Sequence, residues 1–174
     1  ANLYKTQACG GDLSAEYTLN TQRLGQFRIA MGINCADTAI RSTRDSFVNE
    51  YTKEIVLHAA PKNREQISVN WTYGKWSAFV QEMRYGSIIY MAAPTGPGSV
   101  PFMQNPALLT NLEVDYKILP HWSIGVGANN VGNKYPTRVP SSISHTQQGL
   151  TKYASYSPYG FNGGMYYVKT AIDF

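Results

Sequence analysis

Three histidines, two cysteines and a few serines are the residues of this chain that could do covalent or metal chemistry, and their spacing supports little of it. His58, His121 and His145 are widely separated and have no short-spaced cysteine pair beside them, whereas a metal centre needs convergent ligands. Ser142 and Ser144 stand next to His145, but nothing near them supplies the nucleophile elbow or the orienting carboxylate of a serine hydrolase. Neither a catalytic site, a resident metal nor a cofactor is expected, and the chain is not read as an enzyme. Cys9 and Cys35 are too few for a zinc site and leave two readings, one disulfide or two ordinary thiols. A hairpin centred near Gln22 would set the two sulfurs opposite each other and predicts a cross-strand disulfide. A one-residue slip would send them to opposite faces.

The elements that would carry these residues read as strands. Two-residue alternation recurs along the chain, and it means one apolar and one polar face. From Asp12 to Leu19 the odd positions Leu13, Ala15, Tyr17 and Leu19 are apolar, and Phe27, Ile29, Met31 and Ile33 repeat the pattern after a tight connection. A third strand is expected over Gln66 to Tyr73 and a fourth over Lys75 to Tyr85, where Phe79 and Met83 fall opposite Trp76, Ala78 and Val80 and suggest a bulge. Thr110 to Ile118, Trp122 to Asn129 and about Gly164 to Phe174 complete seven strands. One further strand could lie within 45–60 or 86–92.

Composition narrows the class. The chain has 174 residues, 43% hydrophobic and only 15% charged, against a usual charged share of about 25%. Whole-chain disorder is excluded. The apolar runs Ile88 to Pro94 and Ile55 to Ala60 fall far short of the roughly 18 to 20 residues of a membrane-crossing helix. Net charge is +4, but the lysines and arginines are scattered and form no stripe for nucleic acid. The chain opens at Ala1 and is read as a mature product or a piece of a longer one.

Connections alternate short and long: short near 20–25, 74 and 119–120, and long near 39–62, 88–106 and 131–160. Transmembrane β-barrels have short turns at one end and long loops at the other, with aromatic girdles at the interfaces. Trp76, Trp122 and Tyr73 stand beside short turns, as a girdle residue should. A soluble sandwich or lipocalin-type barrel stays open as the other reading, because alternation alone says only that one face is dry.

Several motifs go further. The run Gly127-Ala128-Asn129-Asn130-Val131-Gly132-Asn133-Lys134-Tyr135-Pro136 resembles the C-terminal motif of TonB-dependent outer-membrane receptors. Ser157-Pro158-Tyr159-Gly160-Phe161-Asn162-Gly163-Gly164, followed by Met165, Tyr166, Tyr167 and the closing Phe174, is similar to the last strand of that family. Pro61-Lys62-Asn63, Asn70-Trp71, Trp76-Ser77 and Arg84-Tyr85-Gly86 are similar to the preceding hairpin. Val131-Gly132-Asn133 departs from the family's usual apolar and acidic turn, and Gly164 stands where an Arg is frequent.

The resemblance implies an all-β, antiparallel transmembrane barrel segment, the C-terminal third of a barrel of about 22 strands. Residues 1–174 would be the C-terminal part of one barrel domain, with the plug and earlier strands outside this chain. It implies active uptake of a scarce nutrient (a siderophore or other metal chelate, a vitamin or a glycan) across the bacterial outer membrane. The implied partners are the lipid bilayer and lipopolysaccharide, the remaining strands and plug, and the inner-membrane TonB complex acting through that plug. No nucleic acid is involved. Tyr166, Ile172 and Phe174 look like the signal read by the barrel-assembly machinery. In a receptor, Lys134, Tyr135, Arg138, Lys152 and Tyr153 of the last long loop could contact an anionic chelate. Asn111, Glu113, Asp115, Lys117 and Lys169 would line the lumen. The alternative is a structural or interaction subunit, a split receptor or scaffold fragment of an outer-membrane assembly.

Overall fold

The computed structural model describes residues 4–43, 48–92, 99–144 and 152–173. Strand β1 (Tyr4–Thr21) and β2 (Gly25–Thr43) form a long hairpin, followed by helix α1 (Glu50–His58), β3 (Asn63–Tyr73) and β4 (Trp76–Tyr85). A short ribbon of β5 (Ile88–Tyr90) and β6 (Phe102–Gln104) precedes β7 (Ala107–Leu119), β8 (Trp122–Asn129), the four-residue helix α2 (Ser141–Ser144) and β9 (Met165–Ile172). The main sheet has seven strands in the order β1-β2-β3-β4-β7-β8-β9, every pairing antiparallel. Chain neighbours are therefore sheet neighbours, apart from the ribbon inserted between β4 and β7.

Local chemistry fixes the tight end. Thr21 Oγ1 accepts from the Leu24 amide at 3.0 Å and donates to the Gly25 carbonyl at 2.8 Å, closing the first turn. The second turn has two residues, Gly74 and Lys75, and Gly74 takes a φ of 59° that a side chain would resist. Pro120 and His121 make the third, where the register slips between Lys117 and Leu119.

The seven expected strands are all present, with three corrections. The first hairpin runs well past the 12–19 and 27–34 alternation, because Tyr4 to Gly11 and Cys35 to Thr43 continue the ladder without clean apolar patterning. No bulge interrupts β4, whose register is continuous against both neighbours; Phe79 and Met83 simply point to the polar side. Of the two places that could hide a strand, 50–58 is helical and 88–90 joins the separate ribbon, so the main sheet stays at seven. Asn49 caps that helix, its Oδ1 accepting from the Thr52 amide at 3.0 Å.

The cross-strand disulfide is also corrected. The hairpin is centred one residue later than Gln22, so Cys9 lies opposite Asp37 and Cys35 opposite Gly11. The two cysteines share a face but sit diagonally, about 7–8 Å apart by strand geometry, beyond the reach of a bridge. Both are exposed free thiols.

The packed interior does not underlie the sheet. Tyr90, Ala92, Val139, Ile143 and Ala154 form a buried cluster with Phe102 and Tyr156 against it, all beyond the long-loop end of the strands. A second cluster, Tyr85, Ala107 and Leu109, meets Met83 and Tyr159 where the last loop folds back onto the sheet.

Candidate functional site

Register turns the alternation of single strands into continuous surfaces. Leu19, Phe27, Trp71, Ala78, Val114, Val126 and Val168 are consecutive cross-strand partners, one row across all seven strands. The next row, Tyr17, Ile29, Val69, Val80, Leu112, Ala128 and Tyr166, is equally apolar. All of these side chains but the buried Ala128 are at least partly open: Val168 is 71% exposed, Tyr166 69% and Tyr17 63%. A soluble sheet would bury this face; apolar contact with lipid is the alternative physical solution.

The band has chemical edges. Toward the short turns it ends in Tyr73, Trp76 and Tyr116, which are cross-strand neighbours, followed by Trp122. Trp76 and Tyr116 have ring centroids 4.7 Å apart, and Lys75 Nζ lies 5.9 Å from the Tyr116 ring. The indole N–H of Trp71 donates to the Leu24 carbonyl at 2.6 Å and that of Trp122 to Thr170 Oγ1 at 2.8 Å. Toward the long loops Glu82 and then the Glu65–Arg84 pair, at 2.8 Å, interrupt the apolar rows.

The opposite face is a ladder of satisfied polar groups. Arg28 donates through Nε and Nη2 to both oxygens of Glu16 at 2.7 and 2.8 Å. Asn34 donates to Asp12 at 2.7 Å, Gln26 to Asn20 at 2.7 Å and Asn111 to Gln81 at 2.9 Å, each directly across the ladder. On β7 and β9, Glu113 accepts from the Tyr167 hydroxyl at 2.6 Å and from Lys169 at 2.5 Å, while Lys169 also meets Asp115 at 3.0 Å. These contacts bridge across β8, which is possible because Gly125 and Gly127 lie between; a Cβ on Gly127 would run into the Tyr167 ring. Of the residues expected to line a lumen, Glu113 and Asp115 thus share the single cation Lys169, while Asn111 bonds to Gln81 and to the Asn130 amide.

Of the expected loop contacts, Tyr135, Arg138, Lys152 and Tyr153 come together. The Tyr135 and Tyr153 rings stack at 5.6 Å and 18°, Lys152 Nζ lies 5.3 Å from the Tyr153 ring, and Arg138 pairs with Tyr153 through a backbone bridge. Lys134 serves a turn instead: its amide donates to Asn130 Oδ1 and its carbonyl accepts from Asn130 Nδ2, both at 2.8 Å. Tyr166 and Ile172 stand exposed on the apolar face, and Phe174 lies outside the described residues, as does His145. His58 Nδ1 is 2.9 Å from Glu54, one helical turn away.

The sequence motif contains Asn130 and Asn133 but gave them no structural role. Both adopt left-handed backbone, at φ 51° and 50°, and together they hold the exit of β8: Asn130 N–H donates to Asn111 Oδ1 at 2.9 Å and Asn133 Oδ1 accepts from the Gly164 amide at 2.9 Å. The closely spaced asparagines were the available signal, since Asn tolerates this conformation. Nor did the motifs show that Tyr159 meets Tyr85 at 5.6 Å, with Arg64 on the same Tyr85 ring at 5.1 Å. Burial pushes the Tyr156 phenol up to about 12; its hydroxyl accepts from the Met91 amide at 2.9 Å and donates to the Ile89 carbonyl at 3.1 Å. Tyr159 is raised for the same reason.

No family description and no curated protein matches the chain in sequence. Solved structures match it in shape. The structure of the FpvAI-pyocin S2 complex superposes with a TM-score of 0.61 at 18% identity, over 97% of this chain and 20% of that one. The fold is that of the TonB-dependent outer-membrane receptors. The pyoverdine outer membrane receptor FpvA from Pseudomonas aeruginosa PAO1 matches with a TM-score of 0.59 at 18% identity, over 96% of this chain and 22% of that one. The copper transporter OprC matches with a TM-score of 0.63 at 14% identity, over 98% and 24%. This chain spans 20% to 24% of the length of these three chains, and receptors of this fold belong to the Gram-negative outer membrane.

Proposed function

We propose that this chain is barrel wall and surface loop of a TonB-dependent transporter in the bacterial outer membrane, one that takes up a scarce nutrient of the metal-chelate kind. The observation that carries the reading is the pair of unbroken apolar rows, seven residues wide and largely uncovered, backed by a polar face on which Glu16 pairs with Arg28 and Lys169 with Glu113 and Asp115. A bilayer covers the first face, and a hydrated lumen or a plug meets the second. The outer edges of β1 and β9 have no strand partner among the described residues, and unpaired backbone facing lipid costs several kcal/mol per group. Further strands therefore complete the circle, residues 1–174 forming its C-terminal part. The plug and the inner-membrane TonB complex supply the coupling, and lipopolysaccharide meets the outer leaflet side.

The Tyr135, Arg138, Lys152 and Tyr153 cluster supports an anionic cargo, because stacked phenols and cations form a face that attracts one. Nothing in the site invites covalent chemistry, so transport without reaction is proposed. Tyr166, Ile172 and Phe174 serve assembly. The test is cellular uptake. A strain deleted for the whole reading frame should fail to grow on one member of a panel of ferric chelates, vitamins and glycans, and regain growth with the gene restored. Solubility of the purified protein in detergent-free buffer as a monodisperse species would overturn the reading.

A further inference from the structure

Strand β2 outruns its neighbour. β3 starts at Asn63, opposite Cys35, and the ladder between them ends where the Ala36 amide donates to the Lys62 carbonyl at 2.8 Å. β2 continues to Thr43 paired with β1 alone. In an antiparallel ladder every second residue turns its N–H and C=O to the same side. Thr38 and Ile40 therefore present theirs on the side of Ala36, where they meet no backbone partner among the described residues; the Thr38 N–H leans on the neighbouring Asp37 carboxylate instead.

A cleft of about 560 Å³ lies along this open edge, with Asp37 to Ser42 of β2 on one wall and Lys53, Leu57 and His58 of α1 on the other. Its charge is lopsided. Asp37 is held by Lys62 at 2.7 Å, and His58 by Glu54, whereas Lys53 has no ion pair among the described residues. Arg41 contributes a second cation, touching only the neutral Gln7.

We propose that this cleft takes an extended, acidic segment of a partner protein, which adds as a strand to β2 at Thr38 and Ile40. Main-chain hydrogen bonds to an open edge supply affinity in this mode of recognition, and flanking pockets supply selectivity. Lys53 and Arg41 select acidic side chains, and Leu57 offers an apolar contact on the helix side. A small anion would satisfy the cations and leave the edge unmet. The proposal rests on the uptake reading only for placing this end of the barrel outside the cell.

The test uses the full-length protein in detergent and a labelled synthetic peptide alternating Glu and Thr. Binding with a Kd on the order of micromolar is expected, falling at least about tenfold when alternate peptide nitrogens are methylated or Glu is replaced by Lys. Thr38→Pro removes an edge donor that the β1 ladder does not use and that, among the described residues, only the Asp37 carboxylate touches, and should weaken binding by about tenfold. Lys53→Glu, on the helix surface, should weaken it without touching the sheet, and serves if Thr38→Pro misfolds. Equal binding of the methylated peptide, no binding at all, or full displacement by inorganic phosphate or lipopolysaccharide would overturn the proposal. Each of those results leaves nutrient uptake by the same strain unchanged, so the two readings fail separately.

Discussion

The seven-stranded sheet and the cap at its long-loop end solve the same problem in opposite ways. In the cap, apolar side chains bury one another: Tyr90 is 1% exposed and Ala154 is fully buried. In the sheet, residues just as apolar stay bare, and the opposite face carries ion pairs instead. The cap thus behaves like a small soluble core, with stability set by packing. In the proposed reading, the sheet takes its stability from backbone pairing and from a solvent that is itself apolar. Losing volume should hurt the first and hardly affect the second.

The sharpest contrast comes from truncation. Tyr90→Ala should cost about 3–5 kcal/mol of local stability, seen as protease cleavage within 86–106 and 130–164 while the barrel keeps its heat-modifiable migration. Val168→Ala, on the bare face, should cost less than about 1 kcal/mol, since lipid tails refill the space. Equal damage from both would mean that protein, not lipid, covers the sheet. Charge reverses the ranking within the sheet: Val168→Arg should destabilise by about 2–4 kcal/mol in bilayers if it sits near the midplane, read from denaturant titration in liposomes.

The seam between the two regions gives a smaller effect. Asn130→Ala removes two side-chain hydrogen bonds and a favoured left-handed residue, and should cost about 1–3 kcal/mol. Amide exchange should then rise around 130–134 without spreading through β8. Smallest of all at neutral pH is the titration of Tyr156. Its phenol stays protonated up to about 12 in the fold, whereas it ionises near its ordinary 10.0 when the cap opens. The cap is therefore at full strength below pH 10 and loosens as pH rises toward 12. Protease sensitivity of the last loop should climb across that window while the sheet holds, and Tyr156→Phe should shrink the step, leaving the part that the likewise raised Tyr159 contributes.

Much of this was legible along the chain. Alternation of apolar and polar residues placed all seven main strands, because a pleated strand with one dry face requires that period. Trp122 to Asn129 matches its expected limits without change. Where alternation fails the limits fail too: Tyr4 to Gly11 and Cys35 to Thr43 carry no clean pattern, since they extend past the apolar band. The loop residues Tyr135, Arg138, Lys152 and Tyr153 were legible as a set but not as a stack, which needs the chain to return on itself.

By itself, then, the sequence determined the strand periodicity, the short and long ends and the presence of an apolar face, all of which are local consequences of side-chain order. Which residues lie side by side was decided only by the tertiary structure. A hairpin centred at one residue rather than its neighbour kept Cys9 and Cys35 apart. The same global register lined up Leu19 through Val168 as one row and left the Thr38–Ile40 edge open. Register couples strands distant in the chain, and no local pattern carries that information.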